Sequence, residues 1–318
     1  MEGTQERYHA AGEHTAPPLQ QPPVLYMAYG LTIASELTCP QLLPGSGTPD
    51  VTIRYGQAPA MLTDVYDRVV AYKTTPTALW LEVRSVGRYL VTAGKTVIIE
   101  PDPAGNEADL RAFLLGAVCG ALLHQRGKLA LHGSAIATPR GAVVFVAPSG
   151  YGKSTLAAAF QQRGHQVLAD DVCAVSCDSD GVPQVFPAFP QLRLCADVVR
   201  HLNVAVALPP PSRFDLDKYA LLVGQSFLAH PLPLHAVYEL HTTDTSTLSL
   251  VPVQGRTKLD VLLRNVYRRY WLHGMGKTTA TFQHCLAVAQ QINVRQVVRP
   301  QHPFLLDELV DLIEQDLL

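Results

Sequence analysis

The segment from Ala147 to Thr155, Ala-Pro-Ser-Gly-Tyr-Gly-Lys-Ser-Thr, has the residue types and spacing of a phosphate-binding loop. In such a loop the glycines let backbone N–H groups point inward, the ammonium of Lys153 reaches the terminal phosphates, and the hydroxyl of Ser154 ligates Mg²⁺. One position departs from the Walker A pattern, because Ala147 stands where its first glycine belongs. The predicted nucleotide contacts are Ser149, Gly150, Tyr151, Gly152, Lys153, Ser154 and Thr155.

The residues on both sides of the loop favour this interpretation. Residues 141–146 form an apolar, β-branched run that is typical of a buried parallel strand. Residues 156–163 are strong helix formers, and Gly164 is placed to end that helix. The loop therefore lies at a helix N-terminus, where unpaired N–H groups and the helix dipole attract a phosphate. The alternative is a glycine turn with an accidental lysine.

Two adjacent carboxylates, Asp170 and Asp171, begin seventeen residues after Lys153. They end the run 165–171, which we predict as a second buried strand, and ligands bind at the carboxyl ends of strands in open α/β sheets. Phosphoryl transfer to a hydroxyl needs Mg²⁺ on the phosphates and a carboxylate that orients the hydroxyl and takes its proton. The two aspartates could divide these tasks, or they could merely cap the following turn.

With these features the chain resembles the HPr kinase/phosphorylase superfamily, whose nucleotide site is similar to that of phosphoenolpyruvate carboxykinase. The resemblance rests on His132-Gly133, on the loop 148–154 and on the phrase 163–171, in this order. It implies an α/β fold with a P-loop kinase core and the use of ATP with Mg²⁺. The implied catalytic residues are Asp170 as general base, His132 as its polar neighbour and Lys153 as phosphate clamp, with Ser154 and Asp171 on the metal side.

The chain also departs from the bifunctional HPr enzymes. Their glycine-containing signature for phosphorolysis is not found after the aspartate pair, so neither the reverse activity nor HPr as substrate is expected. The segment 187–194, Asp197 and the stretch 282–300 instead resemble the smaller kinases of the superfamily that accompany ribosomally made peptides, notably lasso-peptide precursor kinases. The acceptor that this resemblance implies is a serine hydroxyl on a peptide.

Composition limits the classes of partner. The chain has 318 residues, 47% of them hydrophobic and only 16% charged, which is enough for a sizeable core in two units. A net charge of −2 argues against nucleic acid or an anionic membrane as partner. The six cysteines lack zinc spacing, and we interpret them as reduced and structural. The apolar stretch 113–123 is about half the ~20 residues that span a bilayer, and the N-terminus lacks the blocks of a secretory signal, so we expect a cytoplasmic protein.

The pattern along the chain predicts three parts. Residues 1–23 are polar and rich in proline and glutamine, as in a disordered tail. Residues 24–105 contain short β-type runs at 51–55, 68–72, 79–83, 89–92 and 96–99, which predict a small, mostly antiparallel module for structure, docking or self-association. Residues 106–318 form the predicted kinase domain, which begins with a helix at 109–126 and a strand at 129–136. The sequence leaves the oligomeric state open.

Three further features have alternative interpretations. Arg193 alternates with two leucines and could face a phosphate or a surface carboxylate. Apolar residues recur at helical spacing over 259–270, which would place Arg264 and Arg268 together on another face, either as an anion clamp or as a solvated surface. The run 274–278, Gly-Met-Gly-Lys-Thr, imitates a second Walker A ending, but no predicted strand precedes it and we interpret it as coincidence.

The sequence thus predicts a kinase that transfers the γ-phosphoryl group of Mg-ATP to a serine hydroxyl of a peptide or small protein. One alternative is a nucleotide-gated regulatory ATPase or GTPase, which would hydrolyse its nucleotide irrespective of any hydroxyl acceptor. The other is a kinase of a small hydroxyl metabolite, which would turn over the free compound. The Asn-Lys-x-Asp motif typical of GTPases is absent, which argues against GTP.

Overall fold

The structure, a computed structural model, describes residues 22–59, 70–204, 218–244, 247–300 and 305–318. These residues form a mixed α/β fold with a β-rich N-terminal region. Residues 1–21 of the predicted tail lie outside the described residues. None of the described helices has the length and apolar character needed to cross a membrane.

The N-terminal region is an eight-stranded sheet with the order β3-β1-β2-β4-β8-β7-β6-β5. Its strands are β1 Val24–Ala28, β2 Leu31–Ser35, β3 Leu43–Pro44, β4 Val51–Tyr55, β5 Val70–Thr74, β6 Ala78–Val83, β7 Gly87–Thr92 and β8 Thr96–Pro101. Only the pairs β2–β4 and β4–β8 are parallel, so the prediction of a mostly antiparallel module is confirmed. All five predicted runs contribute strands, whereas β1 to β3 were missed because turn residues interrupt their short apolar runs.

A helical segment leads from this sheet to the rest of the chain. It consists of α1 Glu107–Phe113, a π-helical part Leu114–Val118 and α2 Cys119–Gln125. The side chain of Asn106 caps its start by accepting from the Asp109 N–H at 2.8 Å. Apolar side chains of this segment share one hydrophobic core with residues of the first sheet and of the strands that follow. The predicted helix at 109–126 is therefore confirmed, and it packs against both parts.

The second sheet carries the predicted kinase core. Its strands are β9 Leu129–Thr138, β10 Gly141–Val146, β11 Val167–Ala169, β12 Val172–Cys177, β13 Pro183–Phe186, β16 Leu232–Thr243, β17 Ser249–Pro252 and β18 Asn293–Pro300, while β14 Gln191–Cys195 and β15 Lys218–Leu222 form a separate pair. The pairings β10–β9, β9–β12, β12–β13, β13–β16 and β16–β10 close a ring. Strands β10, β16 and β18 are parallel neighbours, so their carboxyl ends meet at one edge.

The remaining helices are α3 Lys153–Gln162, α4 Ala196–Leu202, α5 Arg256–Arg264, α6 Thr278–Gln291 and α7 Leu306–Asp316. Helix α3 packs against β9, β10 and α7, and Phe145, Phe160 and Ile313 lie together in a second hydrophobic core. The predicted helix after the loop is confirmed, although it starts three residues earlier than 156. Gly164 follows its C-terminal cap with a φ of 93°, in the left-handed region that glycine adopts without strain.

The prediction of one helix over 259–270 is wrong. Helix α5 ends at Arg264, and Arg268 has left-handed backbone with a φ of 44°. The reason is tertiary, because the chain leaves the helix to bond with β9: the Tyr267 N–H donates to the Ala130 carbonyl at 2.8 Å, and the His132 N–H donates to the Asn265 carbonyl at 2.8 Å. Arg264 and Arg268 therefore do not share a helical face.

The second glycine-lysine run also has no phosphate-loop architecture. A short 3₁₀ helix, Arg269–Trp271, precedes it instead of a strand, and Lys277 is the N-cap residue of α6. Gly274 serves a packing role, since a Cβ at this position would lie 1.9 Å from the Thr74 Oγ1 of β5. The glycine therefore permits close contact between the segment before α6 and strand β5 of the first sheet. All six cysteines lie among the described residues and none forms a disulfide.

Candidate active site

The backbone brings the loop and the aspartate pair to the same end of the sheet. Strands β10 and β11 are both antiparallel to β9, so they run in the same direction. In the register, Val146 pairs with Gly133, and Ala169 pairs with Ala135. The loop that follows β10 and the aspartates that follow β11 therefore flank the middle of β9. Side chains at alternate positions of β9, His132 and Ser134, lie between them.

Glycines with left-handed backbone shape the loop, and the Lys153 side chain is folded back onto it. Gly152, which immediately precedes α3, has a φ of 89°, a conformation that a Cβ would strain. The Lys153 ammonium donates to the carbonyls of Ala147 at 3.0 Å and Pro148 at 3.1 Å, and to His132 Nε2 at 3.1 Å. Burial lowers the pKa of Lys153, while the charges of the two aspartates act in the opposite direction. To reach a phosphate, Lys153 must release at least one of these three bonds.

Asp170 is a buried carboxylate whose two oxygens are both engaged, and it is only 5% exposed. Its Oδ1 accepts from the Ser134 hydroxyl at 2.6 Å and from the Ser154 hydroxyl at 2.8 Å, while its Oδ2 accepts from the Arg193 backbone N–H at 2.8 Å. Asp170 therefore fixes the serine hydroxyl that was predicted to ligate magnesium. Ser134 was missed at first, although its alternation with His132 along β9 was a usable signal.

Asp171 is held differently. Its backbone is left-handed, with a φ of 66°, which is uncommon for a residue with a side chain. His132 Nδ1 lies 3.0 Å from the Asp171 carbonyl and 3.4 Å from its Oδ1. Because the Lys153 ammonium can only donate to Nε2, the imidazole proton belongs on Nδ1, facing Asp171. Burial would raise the pKa of Asp171, but the hydrogen bond from His132 and the charges of Arg193 and Lys218 outweigh it and lower this pKa.

Two cavities meet at His132 and Asp171. The smaller, about 380 Å³, is lined by the loop and the start of α3, and the larger, about 780 Å³, is lined by loop residues together with Glu239 and the segment 264–268. Four residues line both cavities: His132, Ser149, Asp171 and Arg193. The predicted residues Gly150, Gly152, Lys153, Ser154, Thr155 and Asp170 line the smaller cavity, whereas Tyr151 lines the larger. Every predicted site residue thus borders one of two adjoining cavities.

A buried glutamate forms part of the wall of the larger cavity. Glu239, on β16, has a side chain that is 4% exposed and accepts from both Nε and Nη2 of Arg264. It also accepts from Asn265 Nδ2 at 3.0 Å and pairs with His241 Nε2 at 2.8 Å. Since the Asn265 carbonyl accepts from the His132 N–H, this network supports the backbone of His132. The sequence signal for it was a single acid inside an apolar strand.

The Glu239 network gives a prediction for acid stability. Burial would raise the pKa of Glu239, but the hydrogen bonds from Arg264, His241 and Asn265 lower it from 4.5 to about 2, which corresponds to about 3 kcal/mol at neutral pH. Because the folded pKa is the lower one, this stabilisation is present above the unfolded pKa and is lost as the pH falls toward the folded pKa. We expect Glu239→Gln to reduce the free energy of unfolding by about 2–3 kcal/mol at neutral pH and by much less near the folded pKa.

Urea titrations followed by circular dichroism at neutral pH and near the folded pKa would measure this difference. Glu308→Gln is a suitable control because this glutamate is exposed at the start of α7 and lies outside the hydrogen-bond network of Glu239. An equal loss of stability at both pH values in the Glu239 variant would contradict the electrostatic origin of the effect.

The donors at the loop fit a magnesium ion. Mg²⁺ prefers oxygen ligands and is usually held by one or two carboxylates, waters and the phosphates of the nucleotide. The hydroxyl of Ser154 and the carboxylate of Asp170 are joined by a 2.8 Å hydrogen bond at the edge of the smaller cavity, and Asp171 lines the same cavity. Among the described residues, no group of three or more histidines, cysteines, aspartates or glutamates is arranged to hold a metal by itself. The donors would therefore share the ion with phosphate oxygens.

Comparisons with known proteins find a likeness among solved structures but none in sequence. No protein-family model matches the chain, and no curated protein matches it in sequence. Among solved structures, the Hpr(Ser) kinase/phosphatase from Coxiella burnetii is similar over 59% of this chain and 89% of that chain, with 15% sequence identity and a TM-score of 0.34. A likeness at this score carries no argument about activity. The functional proposal therefore depends on the contacts within this chain.

Proposed function

We propose that this protein is a kinase that transfers the γ-phosphoryl group of Mg-ATP to a serine hydroxyl on a peptide or small protein, such as a lasso-type ribosomal precursor. The observation that carries the proposal is the junction of the two cavities at His132 and Asp171. A phosphate loop with its lysine and serine borders one side of this junction, and a larger space for an acceptor borders the other. In-line transfer requires donor and acceptor to meet in this way.

The contacts favour a different division of labour between the aspartates from the one that the family resemblance implied. Both oxygens of Asp170 already accept hydrogen bonds, one of them from Ser154, which suits the magnesium side of the site. Asp171 borders the larger cavity, and its side chain is 33% exposed. We propose Asp171 as the general base and Asp170 as the residue that orients Ser154, the reverse of the roles first assigned to them.

In the proposed reaction, the nucleotide phosphates lie against the N-terminus of α3, and Lys153 exchanges its contacts with loop carbonyls for contacts with phosphate oxygens. Bound Mg²⁺ would neutralise charge on these phosphates. The acceptor hydroxyl in the larger cavity gives its proton to Asp171 while its oxygen bonds to the γ-phosphorus, and the bond to the ADP oxygen breaks. His132 keeps the Asp171 carboxylate oriented throughout.

The lining of the larger cavity supports a peptide as acceptor. Its volume of about 780 Å³ is more than a lone hydroxyl compound needs, and it lies within the range of ligand pockets. Phe113, Tyr267 and Tyr270 supply aromatic surface, and Arg268 lies over the rings of Tyr267 and Trp271 at 5.7 and 5.0 Å. Aromatic and arginine side chains are the types enriched in peptide and protein interfaces. A kinase that uses Mg-ATP and these substrates is expected to work in the cytoplasm.

The proposal is tested by intact-mass analysis of serine peptides, including precursor peptides of the lasso type, after incubation with the protein and Mg-ATP. We expect a gain of one phosphoryl group with the wild type and with a serine peptide, but not with the matching alanine peptide. ATP hydrolysis that continues at the same rate without any peptide, with no mass gain, would contradict the kinase and favour the gated ATPase. Phosphorylation of a free small alcohol alone would favour the metabolite kinase.

A further inference from the structure

A second cationic side chain reaches the phosphate loop from a distant part of the chain. Arg299 lies near the carboxyl end of β18, paired in the register with Thr242 of β16. Because β10, β16 and β18 are parallel, the end of β18 meets the edge from which the loop emerges after β10. The guanidinium of Arg299 lines the smaller cavity together with the loop residues.

The contacts of Arg299 place it at the turn that would surround the phosphates. Its Nη2 donates to the Tyr151 carbonyl at 3.2 Å, and the same atom would lie 3.4 Å from a Cβ at Gly152. Its Nη1 donates to the Pro300 carbonyl at 3.3 Å. The guanidinium thus lies against the stretch of loop that directly precedes Lys153. A phosphate bound within this turn would therefore lie close to the Arg299 guanidinium.

The charges around the cavity favour a polyanion. Its lining contains four lysine or arginine side chains, Lys153, Arg193, Lys218 and Arg299, and three aspartates, Asp170, Asp171 and Asp197. One of these carboxylates, Asp170, is engaged by hydroxyl and backbone donors rather than by a cationic side chain. Burial lowers the pKa of Arg299, and an anion bound in the cavity would offset the hydration that the guanidinium has lost. A guanidinium can contact two phosphate oxygens at once, which an ammonium cannot.

We infer that Arg299 is a phosphate-binding residue that contacts the β- and γ-phosphates of the nucleotide and stabilises the charge that develops during transfer. The inference rests on the proposed function, because it takes the ligand of the smaller cavity to be ATP. Arg299 contacts the Tyr151 carbonyl of the loop, whereas His132 contacts the Lys153 ammonium, and both residues line the smaller cavity. It is supplied by the same chain, so the charge-stabilising arginine requires no partner protein.

Nucleotide binding is the direct test. We expect Arg299→Ala to weaken the binding of ATP and ADP by about 10- to 100-fold, as loss of a charged hydrogen-bond donor does, and to leave AMP binding unchanged. Arg299→Lys should give an intermediate affinity because lysine keeps the positive charge but cannot contact two phosphate oxygens at once. The matched control is Arg256→Ala, whose side chain is 90% exposed and lies outside both cavities. Calorimetry with ATP, ADP and AMP measures these affinities without an acceptor.

A purely structural role predicts other results. If Arg299 only held the Tyr151 carbonyl, the alanine variant would lose melting temperature and AMP affinity together, and added guanidinium ion at low, non-denaturing concentration would not restore ATP binding. Either that pattern or wild-type ATP affinity in Arg299→Ala overturns the inference. Wild-type protein that binds ATP but phosphorylates no peptide contradicts the proposed function and leaves this comparison intact. Absence of ATP binding by the wild type overturns both.

Discussion

Replacement of Lys153 by alanine is expected to abolish phosphoryl transfer, with a loss of at least about 10²- to 10³-fold, because Lys153 is the first residue of α3 and its ammonium lies against the loop. In the structure this ammonium donates hydrogen bonds to two loop carbonyls and to His132 Nε2, all within 3.1 Å. The change removes the phosphate contact and also frees His132 from its partner. Transfer to a serine peptide and ATP binding should be measured in parallel, and both should fail.

Lys277→Ala is the matched control for this variant. Lys277 follows a glycine in the same local pattern but begins α6 after a 3₁₀ helix and borders neither cavity. We therefore expect activity within about twofold of the wild type. A folded but inactive Lys277 variant, or an active Lys153 variant, would show that the loop at 147–155 is not the phosphate site.

Asp171→Asn and Asp170→Asn should fail in different ways. Asp171→Asn is expected to reduce the transfer rate by about 10²- to 10⁴-fold with nearly unchanged Mg-ATP affinity, since it removes the proposed proton acceptor and keeps the shape of the side chain. Asp170→Asn should instead weaken magnesium-dependent ATP binding and lower the melting temperature. The change removes the negative charge of a buried side chain that accepts hydrogen bonds from Ser134 and Ser154, or leaves these two hydroxyls without an acceptor.

Single-turnover transfer rates, calorimetric Mg-ATP affinities and melting temperatures separate the two variants. Ser134→Ala is a useful companion, because it removes one donor to Asp170 without touching Asp171 and should reproduce a mild form of the Asp170 effect. The reverse pattern, with intact ATP binding and lost transfer only in Asp170→Asn, would restore the original assignment of Asp170 as the base.

The local parts of the site were predictable from the sequence. Strand β10 has the predicted bounds, Gly141–Val146, and α3 follows the loop as expected. These features depend on residues that are close in the chain, namely an apolar run, glycines that adopt positive φ and a run of helix formers. The burial of Asp170 beside Ser154 was also within reach, since the aspartate pair follows a strand that lies next to the loop. The division of roles between Asp170 and Asp171 could not be predicted.

The helix over 259–270 shows why other parts were not predictable. Its apolar residues recur at helical spacing, but Asn265 and Tyr267 bond to β9 through their backbones, which ends α5 at Arg264. Spacing along the chain cannot indicate that a strand more than a hundred residues away in sequence competes for these backbone groups. For the same reason the sequence did not indicate that Glu239 of β16 would pair with Arg264.

By itself the sequence determined a glycine-rich loop between a buried strand and a helix, followed by two carboxylates, because these features are encoded by short-range backbone preferences. Only the tertiary structure decided which carboxylate borders the larger cavity, how Glu239 supports His132, and that Arg299 reaches the loop. Tyr151 and Arg299 are 148 residues apart in the chain, and Ser134 and Asp170 are 36 apart. Contacts of that range follow from the closing of the strand ring and the packing around it, which local sequence patterns do not specify.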